Sequence, residues 1–378
     1  MSDLKFIATS TFGLEATIKR ELMNLGFKDL SVLDGRIHFN GTINDIPKCN
    51  VWLRSADRLL LNFGEFHAYT FDELFEKTKA LPWEEFLTED AKFTVVGKSV
   101  KSTLFSVSDC QSIVKKAIVE RLKLKYKTDW FEETGPEYKV QISFLKDLAT
   151  LTIDTTGPGL HKRGYRENSV TAPLKETLAS ALIELSYFRP NRVLVDPMCG
   201  SGTIPIEAAL IAKNIAPGLT RNFVSEEWPQ ISKEAWSEVR KEAYSKINVD
   251  VTPEIYGHDM DPKAIETAKH NAKLAGVDDC IRFSQKSFKD MKIESEYGIV
   301  ICNPPYGERI GELNDVRELY KDMGRLFKAN KTWSVYVITS NEEFEKLYGK
   351  PADKKRKLFN GMLKTQYYQY VGERPPKK

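Results

Sequence analysis

The feature that most limits how this chain can fold is the pattern of its C-terminal half. From about Thr171, short runs rich in β-branched residues alternate with segments of helical period. Such alternation is satisfied by a mostly parallel sheet with helices packed on its faces. The spacing predicts strands at Arg192–Val195, Glu254–Gly257, Ile281–Ser284, Ile299–Cys302 and Trp333–Thr339. Helices are expected between them at Ile204–Ala212, Pro262–Ala275 and Val316–Lys328. Asn360-Gly361 then separates Lys357-Leu358-Phe359 from Met362-Leu363-Lys364. Asn-Gly suits a two-residue turn, so the sheet should finish in an antiparallel hairpin.

The N-terminal half reads as two small α+β units. Lys5–Ser10 has the pattern of a strand and Leu14–Leu25 that of a helix, and Asp34-Gly35 marks a hairpin. In the second unit, Phe93–Val96 is strand-like, and Ser108 with Gln111 has the capping-box spacing ahead of a helix through Ile113, Ala117 and Leu122. Alternating apolar residues on either side of Lys146-Asp147 give another hairpin. The expected organisation is a first domain over 1–64, a second over 65–156, a linker over 157–170 and an α/β domain over 171–378. Gly157-Pro158-Gly159 marks a hinge or a sharp turn.

Composition narrows the class. Hydrophobic residues make up 41% and charged residues 29%, the balance of a soluble globular protein. No apolar run approaches the roughly 18 residues that span a bilayer, and Met1-Ser2-Asp3-Leu4-Lys5 lacks the layout of a signal peptide. The five cysteines, Cys49, Cys110, Cys199, Cys280 and Cys302, are scattered, which suggests reduced thiols in a cytoplasmic protein and neither a disulfide framework nor a metal site. The net charge of +3 does not single out a nucleic-acid partner. Its distribution is more telling. Lys115, Lys116, Arg121, Lys123, Lys125 and Lys127 crowd one helix and its exit, with Glu120 the only acid among them. Lys115, Lys116 and Lys123 are candidates for neutralising phosphates; a solvated helix face is the plain alternative.

Asp196-Pro197-Met198-Cys199-Gly200-Ser201-Gly202-Thr203 joins the first α/β strand to its helix. Two glycines allow a tight turn and close backbone approach at the mouth of a parallel sheet, where ligands bind. A P-loop would need G-K-[ST], and a dinucleotide fingerprint wants glycine where Pro205 stands. Asp196 would repel phosphate, so an amine-bearing or cationic ligand fits better. The second strand ends in His258-Asp259-Met260-Asp261. Asp259 is placed to hold a ribose diol, whereas Asp261, beside Pro262, reads as a helix N-cap. His161 and His258 are given no role.

The fourth strand ends in Asn303-Pro304-Pro305-Tyr306. An exocyclic base amine is a weak nucleophile because its lone pair is delocalised into the ring. The Asn303 carboxamide oxygen and the Pro304 carbonyl could each accept one amine hydrogen and so localise that lone pair. Two prolines stiffen the backbone, and Tyr306 offers a face for stacking a flipped base. A bare strand-end turn is the competing reading of the tetrapeptide alone.

These residues resemble the class I S-adenosylmethionine-dependent methyltransferases that modify exocyclic amines through a [DNS]-P-P-[YFW] motif. Leu160-His161-Lys162-Arg163-Gly164-Tyr165-Arg166 followed by Ala172-Pro173-Leu174-Lys175-Glu176-Thr177 is similar to the junction of the THUMP-domain guanine-N2 RNA methyltransferases. Ala216-Pro217-Gly218-Leu219 and the insertion after it look like the same family, most closely the bacterial 23S ribosomal RNA enzymes. The resemblance implies a Rossmann-like class I methyltransferase domain preceded by ferredoxin-like and THUMP domains. It implies S-adenosyl-L-methionine held by Asp196, Pro197, Cys199, Gly200, Gly202, Thr203, Asp259 and Met260, with Pro173 and Glu176 on a helix lining the pocket. Structured RNA is the implied partner, with Arg163, Tyr165 and Arg166 a second basic-aromatic patch and Lys354–Lys357 a third; no metal and no membrane are implied. Ser287 stands where such enzymes usually carry the acid that meets the cofactor adenine, so the hydroxyl, Asp290 or a backbone group must serve. Transfer RNA, an adenine-N6 target in DNA or RNA, and a ribosome-assembly factor with a vestigial fold are the alternatives. Intact Asp196, Gly200, Gly202, Asp259 and Asn303 argue against the last. Oligomeric state is left open.

Overall fold

The computed structural model describes residues 3–166, 174–292, 295–307 and 313–374. The first half follows the expected hairpins. β1 (Leu4–Thr9), α1 (Glu15–Asn24), β2 (Ser31–Leu33), β3 (Arg36–Gly41) and α2 (Asp45–Trp52) lead into β4 (Arg58–His67). Then come α3 (Phe71–Lys79), β5 (Lys92–Val100), α4 (Val107–Tyr126), β6 (Glu137–Leu145) and β7 (Leu148–Asp154). These strands form one seven-stranded sheet in the order β2-β3-β1-β4-β7-β6-β5. Strand β4 pairs with β1 through its first residues and with β7 along nearly its whole length, with a register shift between Asn62 and Gly64. The two N-terminal units therefore share a strand. A Cβ on Gly64 would lie 2.8 Å from Leu81, so glycine lets the strand pass this side chain.

Helix α4 is where it was expected, but its capping box is not formed. Ser106 precedes the helix without a side-chain cap, and Ser108 falls inside the first turn because the helix starts earlier than its pattern suggests. Strand β4 and helices α2 and α3 were not anticipated. Arg58-Leu59-Leu60-Leu61 has neither a clean alternation nor a turn signal in front of it, because the start of a central strand is covered on both faces.

The second half contains α5 (Glu176–Leu185), β8 (Leu194–Asp196), α6 (Thr203–Ala212), α7 (Lys233–Ser245), β9 (Ile255–Asp259) and α8 (Pro262–Leu274). It continues through β10 (Ile281–Gln285), β11 (Ile299–Cys302), α9 (Leu313–Lys328), β12 (Ser334–Thr339), α10 (Phe344–Tyr348), β13 (Lys354–Asn360) and β14 (Leu363–Tyr370). The sheet order is β10-β9-β8-β11-β12-β14-β13. Strands β8 to β12 are mutually parallel, and β14 inserts antiparallel between β12 and β13. The Rossmann-like sheet thus ends in the expected hairpin, and all five parallel strands end on one edge. No helix among the described residues is long and apolar enough to cross a membrane.

The two halves are locked together. The insertion between α6 and β9 packs on the N-terminal sheet and contributes Leu219, Phe223, Trp228, Ile231 and Trp236 to that core. Trp228 stacks on Tyr138 at 4.8 Å and donates its Nε1–H to Glu137 O at 3.0 Å. A Cβ on Gly218 would lie 2.7 Å from Asn50 O, so the insertion touches α2 backbone to backbone. Gly157-Pro158-Gly159 forms a sharp turn, with Gly157 at φ +77°. It is no hinge here: Arg58 donates to Gly157 O, and Arg221 donates to both Pro158 O and Gly159 O.

A crevice of about 280 Å³ lies where the halves meet, lined among others by Glu21, Trp52, Arg54, Glu184 and Lys246. Glu21 accepts the N–H groups of Arg54 and Ser55 at 2.8 and 3.0 Å. Burial, reinforced by the neighbouring Glu21, pushes the Glu184 carboxyl up to about 8, against the pull of Arg54 and Arg20. A carboxyl raised in the folded state binds a proton that the unfolded chain has already released. Stability from this group therefore declines as pH rises from the ordinary carboxyl range toward 8. We expect Glu184→Gln to flatten that decline: urea midpoints should match wild type near pH 4 and exceed it at pH 8.5.

Candidate active site

Hydrogen bonds between strand ends assemble the candidate site. β8 lies between β9 and β11, so the loops after Asp196, Asp259 and Cys302 are neighbours. Cys199 N–H donates to His258 O at 2.8 Å, and Lys286 N–H donates to Asp259 O at 2.9 Å. The Asp259 carboxylate accepts Gly200 N–H at 2.9 Å and Asp261 N–H at 3.0 Å, tying the glycine loop to the tip of β9. A carboxylate has about four acceptor positions, so Asp259 can still take ribose hydroxyls. Asp261 caps α8 by accepting Lys263 N–H at 2.9 Å, as its place before Pro262 suggested.

The glycines divide their work. Gly200 turns the loop at φ +51°. Gly202, at φ +84°, precedes α6, and a Cβ there would come within 2.9 Å of Ala268 Cβ. Close packing of α6 on α8 therefore requires Gly202. Asn271 of α8 donates to Ser201 O at 3.0 Å and closes the loop from below. Asp196 is 2% exposed and accepts Met198 N–H at 3.2 Å. Burial, and then the nearby Asp259, push its carboxyl well above the usual range. Burial does the same to the Cys199 thiol, which makes it inert. Met260 is 74% exposed at the tip of β9. Ser287 accepts Lys289 N–H at 3.4 Å and caps a single 3-10 turn over Phe288–Asp290.

Asn303 and Tyr306 are half-buried and Pro304 is buried. The Tyr306 hydroxyl donates to Asn303 Oδ1 at 2.5 Å. Beneath the loop, the Tyr320 hydroxyl of α9 donates to Pro305 O at 2.9 Å and lies 3.0 Å from Thr339 Oγ1 at the end of β12. Sequence reasoning did not find Tyr320 or Thr339. Tyr320 sits on the apolar stripe of α9 and looks like ordinary core, which it also is.

The family model described as the RMKL-like methyltransferase domain matches residues 163–369, more than half of the chain. The chain belongs to this methyltransferase family. Models of the THUMP domain and of the RlmL ferredoxin-like domain match residues 68–154 and 5–60. A Bacillus subtilis protein named Putative RNA methyltransferase YpsC is 53% identical over 100% of this chain and 99% of its own length. A ribosomal RNA large subunit methyltransferase K/L of Syntrophotalea carbinolica is 34% identical over 96% of this chain. The chain spans about half the length of that relative, 53%. Among solved structures, a Listeria monocytogenes protein described as a predicted N6-adenine-specific DNA methylase is 53% identical with TM-score 0.94, over 99% of this chain and 97% of that one. A protein described as a putative methyltransferase complexed with SAH is 45% identical with TM-score 0.94, over 99% of this chain and 100% of that one.

The residues of the methyltransferase edge fit S-adenosylmethionine by their chemistry. Asp196, Asp259 and Glu176 make the pocket acidic, which favours a sulfonium and ammonium over a phosphate. Glu176, at the start of α5, is 3% exposed, and its Oε2 has no hydrogen-bond partner among the described residues. Pro173 lies outside the described residues.

The junction residues need correction. Arg163 and Tyr165, expected to meet RNA, are each 4% exposed. Arg163 pairs with Glu207 at 3.5 Å and donates to Leu160 O and Arg54 O; the Tyr165 hydroxyl donates to Glu207 at 3.0 Å. Arg166 faces the cofactor loop: its Nη2 donates to Thr203 Oγ1 at 2.6 Å and lies 3.4 Å from Glu176. An R-G-Y-R string reads as a basic surface patch because a sequence does not reveal the buried Glu207 that draws it inward. The α4 lysines remain on the surface. Lys115 pairs with Glu133 at 3.4 Å and Lys123 with Glu120 at 3.3 Å, whereas Lys116 is exposed and makes no ion pair among the described residues. Removing one partner of a buried pair leaves the other charge stranded. Arg163→Met should cost about 3 kcal/mol of stability in urea unfolding, without changing the salt dependence of nucleic-acid binding.

Proposed function

We propose that this enzyme transfers a methyl group from S-adenosyl-L-methionine to the exocyclic N2 of a guanine in 23S ribosomal RNA. The observation that carries the reading is the Asn303-Pro304-Pro305-Tyr306 loop at the tip of β11, one strand from an acid-lined glycine loop. The THUMP match and the relatives named for RNA and ribosomal RNA methylation support RNA as the substrate class. We place the enzyme in the cytoplasm, where ribosomal RNA is modified.

In this reading Asp259 accepts the ribose hydroxyls, while Asp196 and Glu176 hold the positive end of the cofactor. Pro197, Cys199, Gly200, Gly202, Thr203 and Met260 wall the pocket, and the Ser287 turn covers the adenine. When bound, the cofactor supplies an electrophilic methyl group on sulfur. Asn303 Oδ1 and the Pro304 carbonyl accept the two amine hydrogens of the base, which localises the nitrogen lone pair and aims it. Tyr306 stacks on the flipped base, and Tyr320, bonded to Pro305 O, keeps the loop from yielding. Lys115, Lys116 and Lys123 neutralise RNA phosphates away from the reacting base.

An adenine-N6 target is the second reading, favoured by the description of the Listeria structure. Incubating the protein and isotope-labelled S-adenosylmethionine with ribosomal RNA, transfer RNA and DNA from a strain lacking the gene separates the cases. Label should appear in N2-methylguanosine from large-subunit RNA; label in N6-methyladenine or in transfer RNA would redirect the assignment. Asn303→Ala should abolish transfer while calorimetric cofactor affinity stays near wild type. Neutralising Lys115, Lys116 and Lys123 together should weaken RNA binding and reduce the slope of log affinity against log salt by about two.

A further inference from the structure

The end of the second sheet carries an exposed basic and aromatic lip that extends beyond the Lys354–Lys357 run noted in the sequence and that the proposed mechanism does not use. Asn360 and Gly361, the latter at φ +62°, turn the β13–β14 hairpin beyond the catalytic edge and leave Met362 98% exposed. Phe359 and Lys364 are directly paired across the hairpin, and Lys357 precedes Phe359 by two residues, so all three share one face. Lys357 Nζ lies 5.5 Å from the Phe359 ring centre. The opposite face is buried through Leu358 and Thr365. Further down the hairpin, Lys355 pairs with Glu345 of α10 at 2.7 Å, so the helix engages the lower part of this face, while Lys357 and Lys364 are exposed.

A second chain segment completes the lip. Phe12, 44% exposed, meets Phe359 edge-on at 6.4 Å. The contact is held beneath the rings: the Arg356 side chain donates to Gly13 O at 2.8 Å, and the Gly13 backbone lies so near β13 that a Cβ there would come within 2.6 Å of Lys357 O. The ferredoxin-like unit is therefore seated against the edge strand of the methyltransferase sheet. Among the described residues, the acid paired with Lys357 or Lys364 is Glu342, 3.6 Å from Lys364. Both partners are exposed, so that pair contributes little and yields readily to a phosphate.

Strands β11 and β13 are separated by β12 and β14, three spacings or about 15 Å from the Asn303 loop. We propose that Phe12, Lys357, Phe359, Met362 and Lys364 form a single-stranded RNA contact that grips the nucleotides flanking the flipped base. The inference rests on the RNA-methylating reading above. Rings and a thioether beside lysines suit unpaired bases joined by phosphates, which stack without regard to sequence. The lysines that flank the rings favour a polyanion over a purely apolar partner. The arrangement also gives the ferredoxin-like unit a direct share in substrate binding, through Phe12.

The test uses the full chain and unmethylated 23S ribosomal RNA. Phe359→Ala should weaken RNA affinity about tenfold, the worth of one stacked base. Lys357→Ala with Lys364→Ala should lower the salt slope by about one. Met362→Ser, at a fully exposed position, should weaken RNA binding without moving the unfolding midpoint, and all variants should keep wild-type cofactor affinity. Unchanged RNA affinity and salt slope in these variants, with a wild type that methylates the RNA, would overturn this inference alone. A wild type that methylates no RNA would overturn it together with the proposed function. Sedimentation showing a dimer that Met362→Ser dissolves would assign the lip to a second copy and sink the RNA reading.

Discussion

Glu207 has no solvent exposure and sits on α6, the helix that begins at the cofactor loop. A carboxylate in that position is tolerable only because Arg163, Tyr165 and Ser180 surround it with donors. Arg163 also donates to Arg54 O, so the same guanidinium joins the N-terminal half, the crossing segment and the catalytic domain. Three residues on, Arg166 reaches Thr203, the first residue of α6. The connection between the halves is thus a set of buried, directional bonds that fixes where the glycine loop ends and α6 begins. Loosening it would leave charges without partners, which is why the turn at Gly157 is strapped by Arg58 and Arg221 and does not act as a pivot.

The insertion between α6 and β9 does comparable work from the other side. It leaves the methyltransferase sheet, seats Trp228 on Tyr138 and Phe223 on Trp236, and returns. The N-terminal sheet cannot shift against the insertion without separating Trp228 from Tyr138 and Phe86. An enzyme that must present one base of a large RNA to a fixed loop gains from such rigidity, because the distance between grip and reacting amine is then set by the fold.

Parts of the molecule were legible because the physics is local. Asn360-Gly361 and Asp34-Gly35 announce hairpins whatever surrounds them, since few residues adopt positive φ cheaply. The parallel strands showed through their β-branched runs, and Asp261 beside Pro262 declared a helix start. The Asp196–Thr203 loop and Asn303–Tyr306 stand out because their chemistry needs unusual residues at strand ends. Strand β4 was illegible, since its start is covered on both faces and shows no alternation. Ser108 misled because a capping pattern two residues into a helix looks the same as one at its start.

The amino-acid order by itself determined the class of sheet, the hairpins that close it, and the strand-end loops proposed to carry the chemistry, because each depends on backbone conformation or on neighbours within a few residues. Only the tertiary structure decided the fate of Arg163, Tyr165 and Arg166. Their positive charge and aromatic ring suit RNA equally well, and what turned them inward is Glu207, more than forty positions away, for Arg163 and Tyr165, and Thr203 with Glu176 for Arg166. Long-range pairing likewise decided that Gly202 serves helix packing against Ala268, that Tyr320 supports the Pro305 carbonyl, and that Phe12 meets Phe359. Burial and charge pairing are properties of who lies nearby in space, and a linear pattern holds no record of that until the chain has folded.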